Sequence, residues 1–148
     1  MPEVVSEIII PQPPPRVYAV AREVERFPEF LPDVESVVIT EREGERVTSE
    51  WVGLVREFGR KIKWTEEDRW DEAGLRCDFR TLKGDWDRYE GSWTFEPHPD
   101  GCLVRLRLDY DLNVPLIGAL IRGLLKKLVQ KNSDQMLLGL KARVLGER

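Results

Sequence analysis

The sequence predicts an α+β fold: a strongly bent antiparallel sheet of six to seven strands gripping one long C-terminal helix, with two short helices after the first strand. Three observations predict it. From Val34 to Asn113 apolar and polar residues alternate with a period of two for most of the way, the pattern of half-buried strands. The connections between these runs are short and carry Gly or Pro ("REGER", "DEAG", "KGD", "PHPDG"), so successive strands pair antiparallel as a meander. Only the segment from Pro115 onward has a long helical pattern, and an apolar sheet face needs a cover of that length.

Each element follows in order. Val4 to Ile10 is β-branched and apolar and reads as a strand; it stops at "PQPPP", because proline cannot donate to a ladder. Proline suits the first turn of a helix, and Val17, Tyr18, Val20, Ala21 and Val24 then recur at helical spacing up to Pro28. "FPEFLPD" is a short turn or helix pinned by Pro28 and Pro32. The strands expected next are Val34 to Glu43, Arg46 to Phe58, Lys61 to Asp71, Leu75 to Leu82, Asp87 to Glu96 and Cys102 to Asn113. In the last helix Leu120, Leu124, Leu128, Asn132, Met136, Leu140 and Val144 fall near one stripe.

The length of 148 residues is that of one domain, 1–148. A net charge of -4, with no basic field and no nucleic-acid-reading motif, argues against binding DNA or RNA. No signal peptide or membrane-spanning run is legible, which points to a cytoplasmic setting. Cys77 and Cys102 are too far apart for a redox or metal pair and read as small apolar fillers. No nucleophile–base pair, phosphate loop or metal-spaced His/Cys set occurs, and His98 sits in a turn, so neither a metal nor another cofactor is expected. Arg122, Lys126, Lys127, Lys131, Lys141 and Arg143 on the last helix form a solvated face, with transient contact to an anionic membrane surface as the alternative.

Two faces carry the chemistry. Tyr89, Trp93 and Phe95 share one side of a strand whose partner run places Val104, Leu106, Leu108 and Tyr110 together, so both point inward. "WTEEDRW" puts Trp64, Glu66, Asp68 and Trp70 on one face. Either that face is inward, the polar pole of a pocket with Arg56, Arg80 or Arg88 as partners, or it is outward at a sheet edge. A wide sheet curls, and one helix does not fill its concavity, which favours an apolar cavity. The expected lining is Trp51, Trp64, Phe79, Tyr89, Trp93 and Tyr110 on the sheet and Leu120, Leu124 and Leu128 on the helix, with Glu66 and Arg88 orienting a polar head group. Burying ~300 Å² of ligand at ~25 cal/mol/Å² gives about 7–8 kcal/mol gross, reduced by ordering costs.

"PPPRVYAVAREVERFPEFLPDVESVVI" resembles the opening of the polyketide cyclase/dehydrase family of the START-like (SRPBCC) superfamily, with "FPEFLP" the most specific element. "LKGDWDRYEGSWTFEPHPDGCLVRLRLDYDLNVPLIGALI" is similar to the end of its coenzyme Q-binding branch, although Asp85-Trp86 stands where that branch has Pro-Phe. The resemblance covers nearly the whole chain. It implies a helix-grip fold with a hydrophobic tunnel and a lipid, isoprenoid quinone or polyketide-like ligand. Three roles are compatible with it: a non-enzymatic carrier, an aromatase/cyclase using Glu66, Asp68, Tyr89 or Tyr110, and a ribosome-associated, toxin-like interaction protein.

Overall fold

A computed structural model describes residues 3–112 and 119–146 of the chain. Strand β1 (Glu3–Ile10) leads through the prolines into helix α1 (Pro14–Ala21), which has proline in its first turn and no side-chain cap. The helix ends short of Val24, and a 3₁₀ turn at Val24–Glu29 contains Pro28, so Pro28 does not end the first helix as its spacing suggested. Then come β2 (Val34–Glu43), β3 (Arg46–Val55), β4 (Arg60–Asp71), β5 (Arg76–Gly84), β6 (Arg88–His98), β7 (Gly101–Asp111) and α2 (Ala119–Val144). The third expected run ends at Val55 instead of Phe58, because Arg56–Phe58 forms a 3₁₀ turn closed by Gly59 in the left-handed region, φ 60°. The expected strand end at Asn113 and helix start at Pro115 lie outside the described residues.

The seven strands form one antiparallel sheet in the order β1-β7-β6-β5-β4-β3-β2, a meander except that β1 closes against β7. Helix α2 contacts β1 and β7. It also lines a cavity with β3 and β4, near the opposite edge. Both hold together only if the sheet curls round the helix, which its twist and the register shifts at β2/β3 and β4/β5 allow.

The buried stripe of α2 is Val129, Ser133, Met136, Leu137, Leu140 and Val144. The expected stripe steps strictly by four, which drifts about 40° per step on a helix of 3.6 residues per turn. Its C-terminal members are therefore buried while Leu124 is 40% exposed. Ser6 Oγ of β1 donates to Asp134 Oδ1 at 2.5 Å, and Gln130 Nε2 donates to the Val5 carbonyl at 3.1 Å, tying α2 to the edge strand. Among the described residues no helix is long and apolar enough to cross a membrane.

Candidate functional site

Strand parity builds the site. On β4, Trp64, Glu66, Asp68 and Trp70 all face inward and are buried, which resolves the two readings of "WTEEDRW" in favour of the inner face. Trp64 pairs across strands with Trp51 of β3, and their indoles stack at 5.7 Å with 12° between planes. From β6, Tyr89 tilts against Trp64 at 5.3 Å.

Two adjoining voids lie between these rings and α2. The outer, about 90 Å³, is lined by Trp51, Leu54, Ile62, Trp64, Trp86 and Tyr89 from the sheet side and by Leu125, Leu128, Val129 and Met136 from the helix. The inner, about 20 Å³, is lined by Phe27, Glu66, Asp68, Trp70, Phe79 and Trp93 among others. Trp51, Trp64, Tyr89 and Met136 line both and form the partition.

Among the described residues no cation pairs with the carboxyl groups of the inner void. Trp64 Nε1 donates to Glu66 Oε1 at 2.8 Å, and the Glu66 and Asp68 carboxyls hydrogen-bond each other. Burial pushes Asp68 well above the usual carboxylate range, and the charge of Glu66 and the shared hydrogen bond push it further. Burial also raises Glu66, opposed by the hydrogen bonds from Asp68 and Trp64. Both carboxyls are thus pushed upward, Asp68 the more strongly. Asp68 Oδ1 is buried and accepts from no N–H or hydroxyl among the described residues. Burial likewise raises the Tyr89 hydroxyl, with a smaller push from Glu66 and Asp68, so it stays protonated.

The next residue on the strand shows the opposite solution. Glu67 faces outward beneath three guanidinium groups, Arg69 at 3.3 Å, Arg80 at 3.4 Å and Arg46 at 3.9 Å. Burial would raise Glu67, but the Arg69 hydrogen bond and the charges of Arg80 and Arg69 outweigh it and hold the carboxyl below its ordinary value.

The expected lining residues divide accordingly. Trp51, Trp64 and Tyr89 line both voids, Glu66, Phe79 and Trp93 the inner, and Leu128 the outer. Tyr110 is buried but lines neither; it packs edge-on against Trp86 at 6.1 Å. Arg88 has the wrong parity. It lies on the outer face with its Nε 2.7 Å from Glu90, so it does not orient a head group beside Glu66. Arg56 and Arg80 also miss Glu66, pairing instead with Asp33 and Glu67. Leu124 is exposed and lines neither void, and the side chain of Leu120 lies outside the described residues. Trp86, in the aperiodic "GDWD" turn, carried no signal that it lines the cavity.

A curled antiparallel sheet around a C-terminal helix, with an aromatic cavity between them, defines a START-like helix-grip protein. The family described as polyketide cyclase/dehydrase and lipid transport matches residues 10–137, and the chain belongs to it. A Streptomyces halstedii relative, provisionally named a polyketide cyclase, is 31% identical over 101 residues, 68% of this chain and 93% of that one. The crystal structure of TTHA0849 from Thermus thermophilus is 45% identical with a TM-score of 0.93, covering 98% of both chains. The Zhui aromatase/cyclase of Streptomyces sp. R1128 shares the fold at 19% identity, with a TM-score of 0.87 and coverage of 96% of this chain and 92% of that one.

Proposed function

We propose that this protein binds a small, largely apolar molecule between its sheet and α2, with a ring or chain against the Trp51–Trp64 stack. The observation that carries this reading is the 90 Å³ cavity walled largely by indoles and aliphatic groups, with Asp33, Glu57, Lys131, Asn132 and Ser133 as its polar lining. Lipids, isoprenoid quinones and polyketide-like molecules all belong to this class, the quinone being the ligand suggested by the coenzyme Q-binding resemblance. Native mass spectrometry of the freshly purified protein, followed by solvent extraction, tests whether such a molecule travels with the chain. An apolar-site dye should also bind with a stoichiometry near one, and Leu128→Trp should abolish it by filling the outer void. If Leu128→Trp leaves dye uptake unchanged, the dye sits elsewhere and the cavity reading fails.

The buried acid pair favours a second reading, cyclisation of a poly-β-keto chain. Glu66 would take a proton from an activated carbon, a carbon–carbon bond would form to a keto carbon, and the Tyr89 hydroxyl would give its proton to that oxygen. The proton gained by the acid pair then returns to Tyr89. Glu66→Gln keeps shape but cannot act as base, so turnover of a poly-keto substrate should fall ~10²-fold or more while binding persists. Binding and turnover both unaffected would remove Glu66 from either role.

A further inference from the structure

On one strand, neighbouring acids are treated in opposite ways. Glu67 on the outer face is covered by the guanidinium groups of Arg46, Arg69 and Arg80. Glu66 and Asp68, on the inner face, are 5% and 2% exposed and take part in no ion pair among the described residues. A buried acid without a cation is destabilising, and replacing it with an apolar side chain of similar volume is commonly neutral or favourable. Core packing alone therefore gives no reason for an acid pair here.

The donor count is also incomplete. Glu66 accepts from Trp64 Nε1 and from Asp68. Asp68 and Trp70 both line the inner void; Asp68 Oδ1 is fully buried and accepts from nothing, and Trp70 Nε1 is fully buried and donates to nothing among the described residues. The missing group is thus one that donates to Asp68; a hydroxyl also accepts from Trp70, a primary ammonium does not. The inner void of about 20 Å³ holds one water-sized group. A hydroxyl or a primary ammonium fits that size; a trimethylammonium does not. Met136, an unbranched and adaptable side chain, lies in the partition between this void and the larger one, so a ring in the outer void has a route for one substituent.

We propose that the Glu66–Asp68 pair is a head-group site selecting apolar ligands that end in a hydrogen-bond donor, a hydroxyl or primary ammonium group, and rejecting those that end in a carboxylate. This rests on the cavity reading above and adds the chemistry of the ligand's polar end. A donor completes Asp68 Oδ1, and a cationic one also meets whatever negative charge the pair holds. A carboxylate brings a buried anion and no donor.

The test is a matched series of one-ring probes, 4-butylphenol, 4-butylbenzylamine, 4-butylbenzoate and butylbenzene, titrated at pH 7 and read by tryptophan fluorescence, with calorimetry as confirmation. The phenol and the amine should bind at least about tenfold tighter than butylbenzene, and the benzoate weakest of all. An amine that binds tighter than the phenol assigns a share to charge; equal binding assigns the preference to the hydrogen bond alone, and both outcomes support the site. Asp68→Leu should erase the ratio between phenol and butylbenzene. If that variant does not fold, the wild-type ratios still decide. Benzoate binding as tightly as the phenol, four equal affinities, or a phenol ratio that survives Asp68→Leu would overturn the head-group assignment and leave the cavity reading standing. Failure of all four probes to bind would remove both.

Discussion

Replacing Asp68 by Asn tests the acid pair through stability alone, without a ligand. In the folded chain Asp68 holds its proton to a pH well above the ordinary carboxylate range because it is buried and faces Glu66. In the unfolded chain it releases that proton near pH 4. Between those limits the native state binds more protons than the unfolded state, so the pair's contribution to stability falls as pH rises. The full slope is about 1.4 kcal/mol per pH unit for one proton. The substituted amide keeps the shape and a donor toward Glu66 but has no proton to lose. The variant should melt within a few degrees of wild type at pH 4 and progressively above it toward pH 8. For a chain of this size about 1 kcal/mol moves Tm by roughly 2–4 °C, so each pH unit at full slope opens a gap of about 3–6 °C. The assay is thermal unfolding of both proteins from pH 4 to 8, taking the difference so that groups outside the Glu66–Asp68 pair cancel. A gap that stays constant across the range would mean that Asp68 titrates alike in both states, and the dry acid pair would be refuted.

Three further substitutions probe the frame. A Cβ on Gly91 would lie 1.9 Å from the Arg107 carbonyl oxygen on β7, so Gly91→Ala should destabilise by about 1–3 kcal/mol or more in denaturant unfolding; a neutral result would mean that β6 and β7 do not approach so closely. Ser6→Ala removes the donor to Asp134 and should lose about 1.5–3 kcal/mol, with amide exchange in α2 quickening; unchanged protection would show that the helix is held by packing alone. Arg69→Ala should change stability by no more than about 1 kcal/mol, because the side chain is largely exposed and Arg46 and Arg80 still cover Glu67; a larger loss would make Arg69 its principal partner.

The sheet was legible because a period of two survives wherever one face is buried, and the Gly- and Pro-marked turns gave the strand order directly. Parity also placed Trp64, Glu66, Tyr89 and Trp93 on faces, but for β4 it is a relative statement, grouping Glu66 with Asp68 without saying which side is in. For Arg88 the same parity already argued against the head-group role, because Arg88 is adjacent to the inward Tyr89. Once β6 is aligned, Tyr89 and Trp93 are inside, so Arg88 is outside. Leu124 misled for another reason: apolar residues cover most of the turns near the start of α2, and a stripe chosen among them is arbitrary until the buried C-terminal half fixes the rotation. Trp86 escaped because a turn has no period from which to read direction.

The pairing of β1 with β7 has a consequence for how the chain assembles. Val4 aligns with Leu108, roughly a hundred residues later, whereas the other strand pairs join neighbours in sequence. Six strands can zip successively as they emerge from the ribosome, while the first apolar strand waits for the last. Closing so long a loop adds little to the equilibrium balance but slows the search. During that interval "VVSEIII" is an unpaired β-prone segment, and the sheet edge it should cover is bare. Rapid dilution from denaturant should therefore lose protein to aggregation in proportion to concentration, and slow, dilute refolding should recover it.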